Sequence, residues 1–295
     1  MTAMGLSIQL FGLPADQYAP IVERADALGF DAVWLADHVI TPVTFARKYP
    51  YRESGDPGFR PETPLADVAV TLGYLAARTS RIKLGTGVLI LPLRNPFIVA
   101  QAWASLQNLS GGRAILGIGS GWMAEEFAAL GEDFATRGGR LDEMLDVLSL
   151  LWSGAEVTYE GRFFRFPPVR FGDPPQWEIP IVVGGHSAAA LRRAAHRATG
   201  WFSPNVDLTT VRRMVADIDQ ARERAGREQV PYTHYVRLFG DVTAANAAAY
   251  HDAGLRDLVF SPFTRLPAGA TLGDRLGALD DVADVLQPYL HKDVA

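Results

Sequence analysis

The chain has 295 residues, of which 48% are hydrophobic and 21% are charged, so it is long and apolar enough for a globular protein with a large core. Its formal net charge is −5 and its lysines and arginines form no cluster, which argues against a nucleic-acid partner. It contains no cysteine, which excludes disulfides, thiolate nucleophiles and cysteine-bound metals.

The first 14 residues are interpreted as a strand and not as a signal peptide. They lack a basic start, and Gly5 and Gly12 interrupt a short apolar run. No apolar stretch of the sequence is long enough to span a bilayer. We therefore expect a cytoplasmic protein with no membrane partner.

Strand and helix patterns alternate along the whole chain. The hydrophobic periodicity predicts strands at 5–11, 31–36, 82–90, 113–118, 179–183, 200–203, 234–240 and 255–261. It predicts helices at 15–28, 64–78, 96–108, 123–130 with 137–152, 187–198, 208–225, 244–253 and 272–290. Eight strands alternating with helices are typical of an α/β fold, a closed (β/α)8 TIM barrel, here in a single domain over residues 1–295.

Two segments interrupt this rhythm. Residues 155–166 alternate apolar and polar side chains around Gly161, which predicts a hairpin inserted after strand four. Residues 41–63 form a long irregular loop, which we expect to overhang the barrel mouth after strand two.

An open doubly wound sheet is the alternative to the barrel, but its dinucleotide fingerprint after strand one is missing, because Gly12-Leu-Pro breaks the pattern.

Asp37 and His38 follow strand two, at the rim where barrel proteins carry their active sites. An imidazole titrates near neutrality, so His38 is a candidate proton donor or acceptor. The alternative is a rim histidine that is merely hydrogen-bonded to a loop, while Asp37 could cap the following turn. The position at the end of a strand favours a functional His38.

Two glycine-rich exits follow strands three and four. Gly87 and Val88 end the third strand, where a glycine permits either a bulge or the close approach of a flat ligand. Gly119 and Gly121 open onto a helix, where exposed amides suit an anion or a ring carbonyl. Both glycine clusters could equally serve a simple bend of the barrel.

A third glycine-rich turn follows strand five. Gly184, Gly185, His186 and Ser187 precede a helix, so their amides and the serine hydroxyl could hold a phosphate at the helix N-terminus. Ser187 could instead be a plain N-cap. Arg192 and Arg193, further along this helix, are expected on a solvated face; the alternative is that one of them reaches a ligand tail.

Other kinds of active site receive little support. The six histidines are scattered without metal-ligand spacing, so no metal is expected. Glu125 and Glu126 are adjacent and would point to different sides of a helix, which disfavours a glycosidase. Ser120 lacks the full nucleophile-elbow pattern, which disfavours a serine hydrolase.

A series of motifs occurs in a fixed order over nearly the whole chain. They are Gly29-Phe-Asp-Ala-Val-Trp-Leu-Ala-Asp37-His38, Thr79-Ser-Arg-Ile-Lys-Leu-Gly-Thr-Gly-Val88, Pro92-x-Arg94-x-Pro96, Leu109-Ser-Gly-Gly-Arg113, Gly117-x-Gly-x-Gly121 and Pro180-x-x-Val-Gly-Gly185. In this combination the sequence resembles the bacterial luciferase-like monooxygenase superfamily, and within it the oxidoreductases that use the deazaflavin coenzyme F420.

The resemblance implies a TIM barrel that binds F420, or alternatively FMN, in its mouth and that forms a homodimer. It implies that His38 lies beside the reactive ring carbon as general acid/base and that Asp37 belongs to the ring-binding residues. It further implies a non-prolyl cis peptide at Gly87-Val88 that buttresses the ring. Gly184 and Gly185 match the loop that holds the phosphate tail.

The chain departs from the sugar-phosphate dehydrogenase branch of that superfamily. Pro42 and Trp122 stand where that branch has a tryptophan and a glutamate, so glucose 6-phosphate is not expected as the substrate. The aromatic residues near the predicted mouth suit a more apolar small molecule. We therefore predict an F420-dependent oxidoreductase; the alternatives are an FMN-dependent monooxygenase and a cofactor-binding protein without turnover.

Overall fold

The structure is a computed structural model that describes residues 4–44, 49–51, 54–267 and 269–290. Its strands are β1 (Gly5–Leu10), β2 (Ala32–Leu35), β3 (Lys83–Thr86), β4 (Leu89–Ile90), β5 (Ala114–Gly119), β6 (Glu156–Glu160), β7 (Arg165–Arg170), β8 (Ile181–Gly184), β9 (Gly200–Phe202), β10 (Thr233–Arg237) and β11 (Asp257–Phe260). Its α-helices are α1 (Tyr18–Leu28), α2 (Val68–Arg78), α3 (Pro96–Ser110), α4 (Ala124–Ala129), α5 (Arg137–Trp152), α6 (Ala188–Arg197), α7 (Leu208–Arg224), α8 (Ala244–Asp252) and α9 (Leu272–Leu286).

Eight parallel strands close into a barrel. The pairing runs β3-β2-β1-β11-β10-β9-β8-β5, and β3 pairs with β5 to complete the ring. The predicted (β/α)8 TIM barrel is therefore confirmed. The antiparallel pair β6 and β7 forms the hairpin expected after the fourth barrel strand, and it lies outside the barrel sheet.

Aromatic side chains fill the inside of the barrel. The Trp34 ring centroid lies 5.0 Å from that of Phe202 and 4.6 Å from that of Tyr235, and all three residues are buried. Gly85 makes room for this cluster, since a Cβ there would lie 2.6 Å from the Trp34 ring. The barrel therefore has a solid interior and not a pore, and a ligand can enter only above this layer.

Polar side chains tie together the turns at the amino-terminal face of the barrel. The Asp26 carboxylate accepts hydrogen bonds from the amides of Ser80 and Ile82, at 2.9 and 2.8 Å. The Arg113 guanidinium donates to carbonyl oxygens of α2 and of the chain that follows it. These contacts stabilise the face opposite the predicted site.

The structure corrects three details of the predicted elements. The third strand, predicted at 82–90, is divided into β3 and β4 by a cis peptide bond between Gly87 and Val88. Helix α2 begins at Val68 and not at residue 64, because the Asp67 side chain accepts a hydrogen bond from the Val70 amide and caps the helix there. Arg193 is buried, whereas a solvated position was predicted.

The burial of Arg193 has a clear partner. Its guanidinium donates to both carboxylate oxygens of Asp142, at 2.6 and 3.0 Å, and so joins α6 to α5. A bidentate pair of this kind lets an arginine lie inside a helix interface.

Among the described helices, none is both long and apolar enough to cross a bilayer.

Candidate active site

A cavity of about 1010 Å³ opens at the carboxyl ends of the barrel strands. The structure brings all ten predicted site residues to its lining: Asp37, His38, Gly87, Val88, Gly119, Gly121, Gly184, Gly185, His186 and Ser187. They lie at the last residues of β5 and β8 and in the segments that follow β2, β3, β5 and β8, which meet at one end of the barrel because the strands are parallel. Their proximity follows from the structure, while their individual roles remain predictions.

His38 lies on the cavity wall, and its ring contacts the carboxylate of Glu126. Its Nδ1 lies 2.9 Å from Oε2 of Glu126, and 10% of the histidine side chain is exposed. The other oxygen of Glu126 accepts a hydrogen bond from the Val39 amide at 2.6 Å. The Glu126 side chain is completely buried. Both of its oxygens are therefore engaged by the segment that carries His38.

Glu126 is a site residue that the sequence analysis missed. It lies on α4, 88 residues after His38, and the two meet only because β2 and β5 end at the same mouth of the barrel. In the sequence, the adjacent Glu125 and Glu126 indicated only that a pair of facing catalytic carboxylates is disfavoured. The available signal was a glutamate next to the apolar Phe127 in a short helix directly after the Gly117-to-Gly121 exit.

Aromatic rings surround the exposed edge of His38. The ring centroids of Phe59 and Trp122 lie 5.1 and 6.1 Å from that of His38. Tyr49 contacts Trp122, and Tyr51 contacts His186, with ring centroids 5.2 and 5.0 Å apart. The described parts of the loop at 41–63 thus reach from β2 to the exits of β5 and β8, so this loop forms one wall of the mouth.

The Gly87-Val88 peptide forms part of the cavity lining, and it is cis. The Gly87 carbonyl accepts a hydrogen bond from Nε2 of Gln9 at 2.6 Å. The methyl groups of Val88 fit between Gly119 and Gly184, where an added Cβ would lie 2.6 and 2.7 Å from them. These two glycines therefore make room for Val88, and the valine presents an apolar surface in the lining.

Asp37 is a buried residue of the cavity lining. Its carboxylate accepts hydrogen bonds from the Ile90 amide at 2.9 Å and from the Arg94 guanidinium at 2.7 Å. Burial raises the pKa of Asp37, while Arg94 and the Ile90 amide act in the opposite direction. Asp37 thus joins the exit of β2 to the segment after β4, and its predicted contact with a cofactor ring remains a prediction.

Positive charges and a helix N-terminus lie at other parts of the lining. Arg137, Arg237 and Arg275 contribute to the cavity wall. Ser187 accepts a hydrogen bond from the Ala190 amide at 3.2 Å, so it is the N-cap of α6, one of the two roles considered for it. Guanidinium groups and a helix N-terminus both favour an anionic ligand group.

Two further observations concern proton transfer and metal binding by the lining. Burial raises the pKa of the Tyr51 hydroxyl to about 12, so this phenol stays protonated near neutral pH and is a poor base. Within the described residues, no group of three or more histidine, aspartate or glutamate side chains could hold a metal ion. The imidazoles of the described lining are those of His38 and His186, and Nδ1 of His38 lies 2.9 Å from a buried carboxylate.

A closed parallel barrel with a cavity of this size at the carboxyl ends of its strands defines a TIM-barrel protein whose ligand site lies at the mouth of the barrel. Residues 7–293 match the family described as luciferase-like monooxygenase. The chain belongs to this family, which confirms the resemblance drawn from its motifs.

Two relatives show how far the similarity extends. An uncharacterized protein of Mycobacterium tuberculosis is 33% identical over 270 residues, which covers 90% of this chain and 93% of that protein. An F420-dependent glucose-6-phosphate dehydrogenase of Kineococcus radiotolerans is 32% identical over 247 residues, covering 79% of this chain and 68% of that protein. F420-dependent oxidoreductases are thus among the relatives of this chain.

Solved structures show the same fold at lower identity. The monooxygenase RslO1 from Streptomyces bottropensis superimposes with a TM-score of 0.79 at 20% identity, covering 98% of this chain and 100% of that one. The coenzyme F420 dependent tetrahydromethanopterin reductase from Methanopyrus kandleri gives a TM-score of 0.76 at 17% identity, with the same coverage. At these identities the likeness concerns the fold.

Proposed function

We propose that the protein is an oxidoreductase that transfers a hydride between coenzyme F420 and a small, mainly apolar organic substrate, with His38 as general acid/base. The observation that carries this proposal is the placement of His38 on the wall of a 1010 Å³ cavity, with its Nδ1 bonded to a buried carboxylate. The F420-dependent relative at 32% identity supports the choice of cofactor.

The lining suits a flat ring with an anionic tail. Val88 and the aromatic side chains offer apolar surfaces on which a tricyclic ring can rest. Arg137, Arg237, Arg275 and the N-terminus of α6 offer positive charge for a phosphate or carboxylate tail. We assign the ring to the Gly87-Val88 region and the phosphate to the Gly184-to-Ser187 turn, as the family resemblance implies.

When bound, F420 would supply a two-electron hydride donor or acceptor. In the reduction of a carbonyl, His38 gives a proton to the substrate oxygen as the hydride arrives at the substrate carbon. In the reverse direction His38 takes the hydroxyl proton as the hydride leaves. The aromatic side chains around His38 hold the substrate beside the imidazole ring and keep water away from the substrate.

The residues nearest His38 support the proposed substrate class. Phe59 and Trp122 flank the imidazole, and Phe11 contacts Phe59 with ring centroids 5.3 Å apart. Such walls favour an apolar or aromatic substrate over a highly hydrated sugar phosphate. Trp122 occupies the position at which the sugar-phosphate branch has a glutamate, which supports the same distinction.

Parallel titrations with F420 and FMN, followed by cofactor fluorescence, test the choice of cofactor. We expect F420 to bind more tightly and to turn over with a carbonyl or unsaturated acceptor. Tight binding of FMN alone would contradict the proposal and favour the monooxygenase. Binding of F420 without turnover of any acceptor in such a panel would favour a cofactor-binding protein.

The role of His38 is tested by His38→Ala, with the exposed His196→Ala on α6 as the matched control. We expect His38→Ala to keep the F420 dissociation constant within a few fold and to slow hydride transfer by roughly 10²–10⁴, the contribution of a positioned acid/base. His196→Ala should behave as the unaltered protein. Stopped-flow measurement of F420 absorbance gives the rate, and an unchanged rate in His38→Ala would remove this residue from the mechanism.

A further inference from the structure

We infer that Glu126 is a positioning residue that fixes the tautomer of His38: it holds the ring proton on Nδ1 and leaves Nε2 as the nitrogen that exchanges a proton with the substrate. This inference rests on the proposed function of the same site. It assigns a task to a residue outside the motifs by which the family is recognised in this sequence.

The first step concerns the direction of the hydrogen bond. We take Glu126 as the acceptor in its 2.9 Å contact with Nδ1 of His38, because an ionised carboxylate only accepts hydrogen bonds, and this choice assigns the proton to Nδ1. A neutral imidazole carries one ring proton, and its other nitrogen then keeps a lone pair. The contact therefore defines Nε2 as the basic nitrogen.

The second step concerns the immobility of both groups. Glu126 is completely buried, and its second oxygen is held by the Val39 amide at 2.6 Å, next to His38 in the chain. The histidine ring is enclosed by Phe59 at 5.1 Å and Trp122 at 6.1 Å between ring centroids. The carboxylate cannot turn away from the ring without losing the Val39 bond, so the two nitrogens keep different environments.

The third step distinguishes positioning from simple support. A glutamine at this position has the same shape but only one acceptor oxygen. The Val39 amide is always a donor and requires that oxygen, which turns the glutamine NH₂ group toward Nδ1. Two donors would then meet, and the imidazole can relieve this conflict by moving its proton to Nε2. Glu126→Gln should therefore preserve the packing and invert the tautomer.

Nuclear magnetic resonance of the ¹⁵N-labelled protein without cofactor measures the tautomer directly. The resonances of His38 are identified by their absence in His38→Ala. In its neutral form His38 should carry the proton on Nδ1 in the unaltered protein and on Nε2 in Glu126→Gln. The control Glu132→Gln makes the same chemical change at a residue that pairs with Arg140 and should keep the proton on Nδ1.

Two results of the tautomer measurement would overturn the inference. One is a neutral His38 protonated on Nε2 in the unaltered protein, a measurement that does not depend on whether Glu126→Gln folds. The other is a Glu126→Gln protein that folds and keeps the proton on Nδ1. Either result removes the tautomer-fixing role of Glu126 and leaves the F420 titration as a separate test of the proposed function.

Kinetics complete the test. With F420, Glu126→Gln should slow hydride transfer by roughly 10²–10⁴, as for loss of the base itself, with the F420 dissociation constant unchanged within a few fold. A purely structural role would instead weaken F420 binding and lower the melting temperature with no change of tautomer. Unchanged hydride transfer in a variant with an inverted tautomer would also overturn the inference.

Discussion

The proposed acid/base group combines contributions from separate parts of the chain. His38 follows β2, Glu126 lies on α4, and Phe59 belongs to the loop between β2 and α2. Each side chain is ordinary in its own segment. Their combination gives a histidine with one ring nitrogen bonded to a buried carboxylate and an edge on a ligand-sized cavity.

A carboxyl group with a raised pKa lies at the opposite face of the barrel. Asp257 begins β11, and its burial and the nearby Asp31 raise its pKa to about 6. The folded protein then holds a proton at a pH where the unfolded chain, with the ordinary value of 3.8, has lost it. The stability that this group contributes is present below about pH 4 and is lost as the pH rises through about 6, by roughly 2–3 kcal/mol.

We therefore expect Asp257→Asn to unfold at higher urea concentration than the unaltered protein at pH 7.5, and the difference to shrink toward pH 4. Urea unfolding at several pH values measures this difference, in which the contributions of carboxylates that do not interact with Asp257 cancel. Asp281→Asn, at an exposed position of α9, is the control and should show no such trend. An Asp257→Asn protein that is less stable at pH 7.5 would contradict the assignment.

The sequence predicted some site residues and not others for physical reasons. His38 and the glycine turns could be predicted because each directly follows an apolar strand, and parallel strands end together. Glu126 could not, because its partner is 88 residues away and its own helix has no distinctive pattern. Arg193 was misplaced for the same reason, since the sequence gives no sign that Asp142 lies opposite it.

At the scale of elements, the interruption between β3 and β4 shapes the lining. Val88 leaves the strand at this break, and Gly119 on β5 and Gly184 on β8 accommodate its methyl groups. The apolar pattern of 82–90 continues through the break, so periodicity alone predicted one strand. The ends of β3, β5 and β8 together thus position the Val88 side chain in the cavity lining.

Gly119→Ala tests this arrangement. Its Cβ would lie 2.6 Å from Cγ2 of Val88, so the valine must move toward the cavity. We expect a loss of stability of roughly 1–3 kcal/mol, typical of overpacking, and weaker binding of F420. Thermal unfolding and the fluorescence titration measure the two effects.

The matched control is Gly277→Ala on α9, where the added Cβ meets open space. A helix-interior glycine replaced by alanine should stabilise the protein by about 0.5–1 kcal/mol and leave F420 binding unchanged. If Gly119→Ala retained both stability and F420 affinity, the packing of Val88 against Gly119 would not be what holds the lining in place.

At the scale of the whole molecule, one side of the barrel carries exposed apolar side chains on neighbouring helices. Val70 and Tyr74 on α2 are 73% and 50% exposed, and Ile98 and Leu109 on α3 are 64% and 83% exposed. Within each helix the spacing of these residues places them on one face. An apolar face of this kind is typical of a protein interface.

We therefore expect the homodimer that the family resemblance implies to form through α2 and α3. Analytical ultracentrifugation at micromolar concentration should show a dimer for the unaltered protein and a monomer for the double variant Val70→Glu/Ile98→Glu. Val285→Glu on α9, a residue that is 38% exposed, is the control and should remain a dimer. A monomeric unaltered protein would contradict the prediction.

The barrel as a whole could be predicted from the sequence because its evidence is distributed over eight repeats of the same pattern. An error of a few residues in one element, such as the start of α2, leaves the strand order unchanged. The site lacks this redundancy. Its Glu126–His38 pair depends on the contact of one helix, α4, with the segment after β2, and such a local contact leaves no periodic trace in the sequence.

The loop after β2 has a consequence for how such proteins diversify. Its side chains Tyr49, Tyr51 and Phe59 form much of one cavity wall, yet they belong to no barrel strand. The contacts of Asp26 and Arg113, which join turns of the barrel, lie at the other end. Exchanging this one segment between homologues would therefore recruit a new substrate to an unchanged scaffold, so that selectivity and foldability can evolve independently.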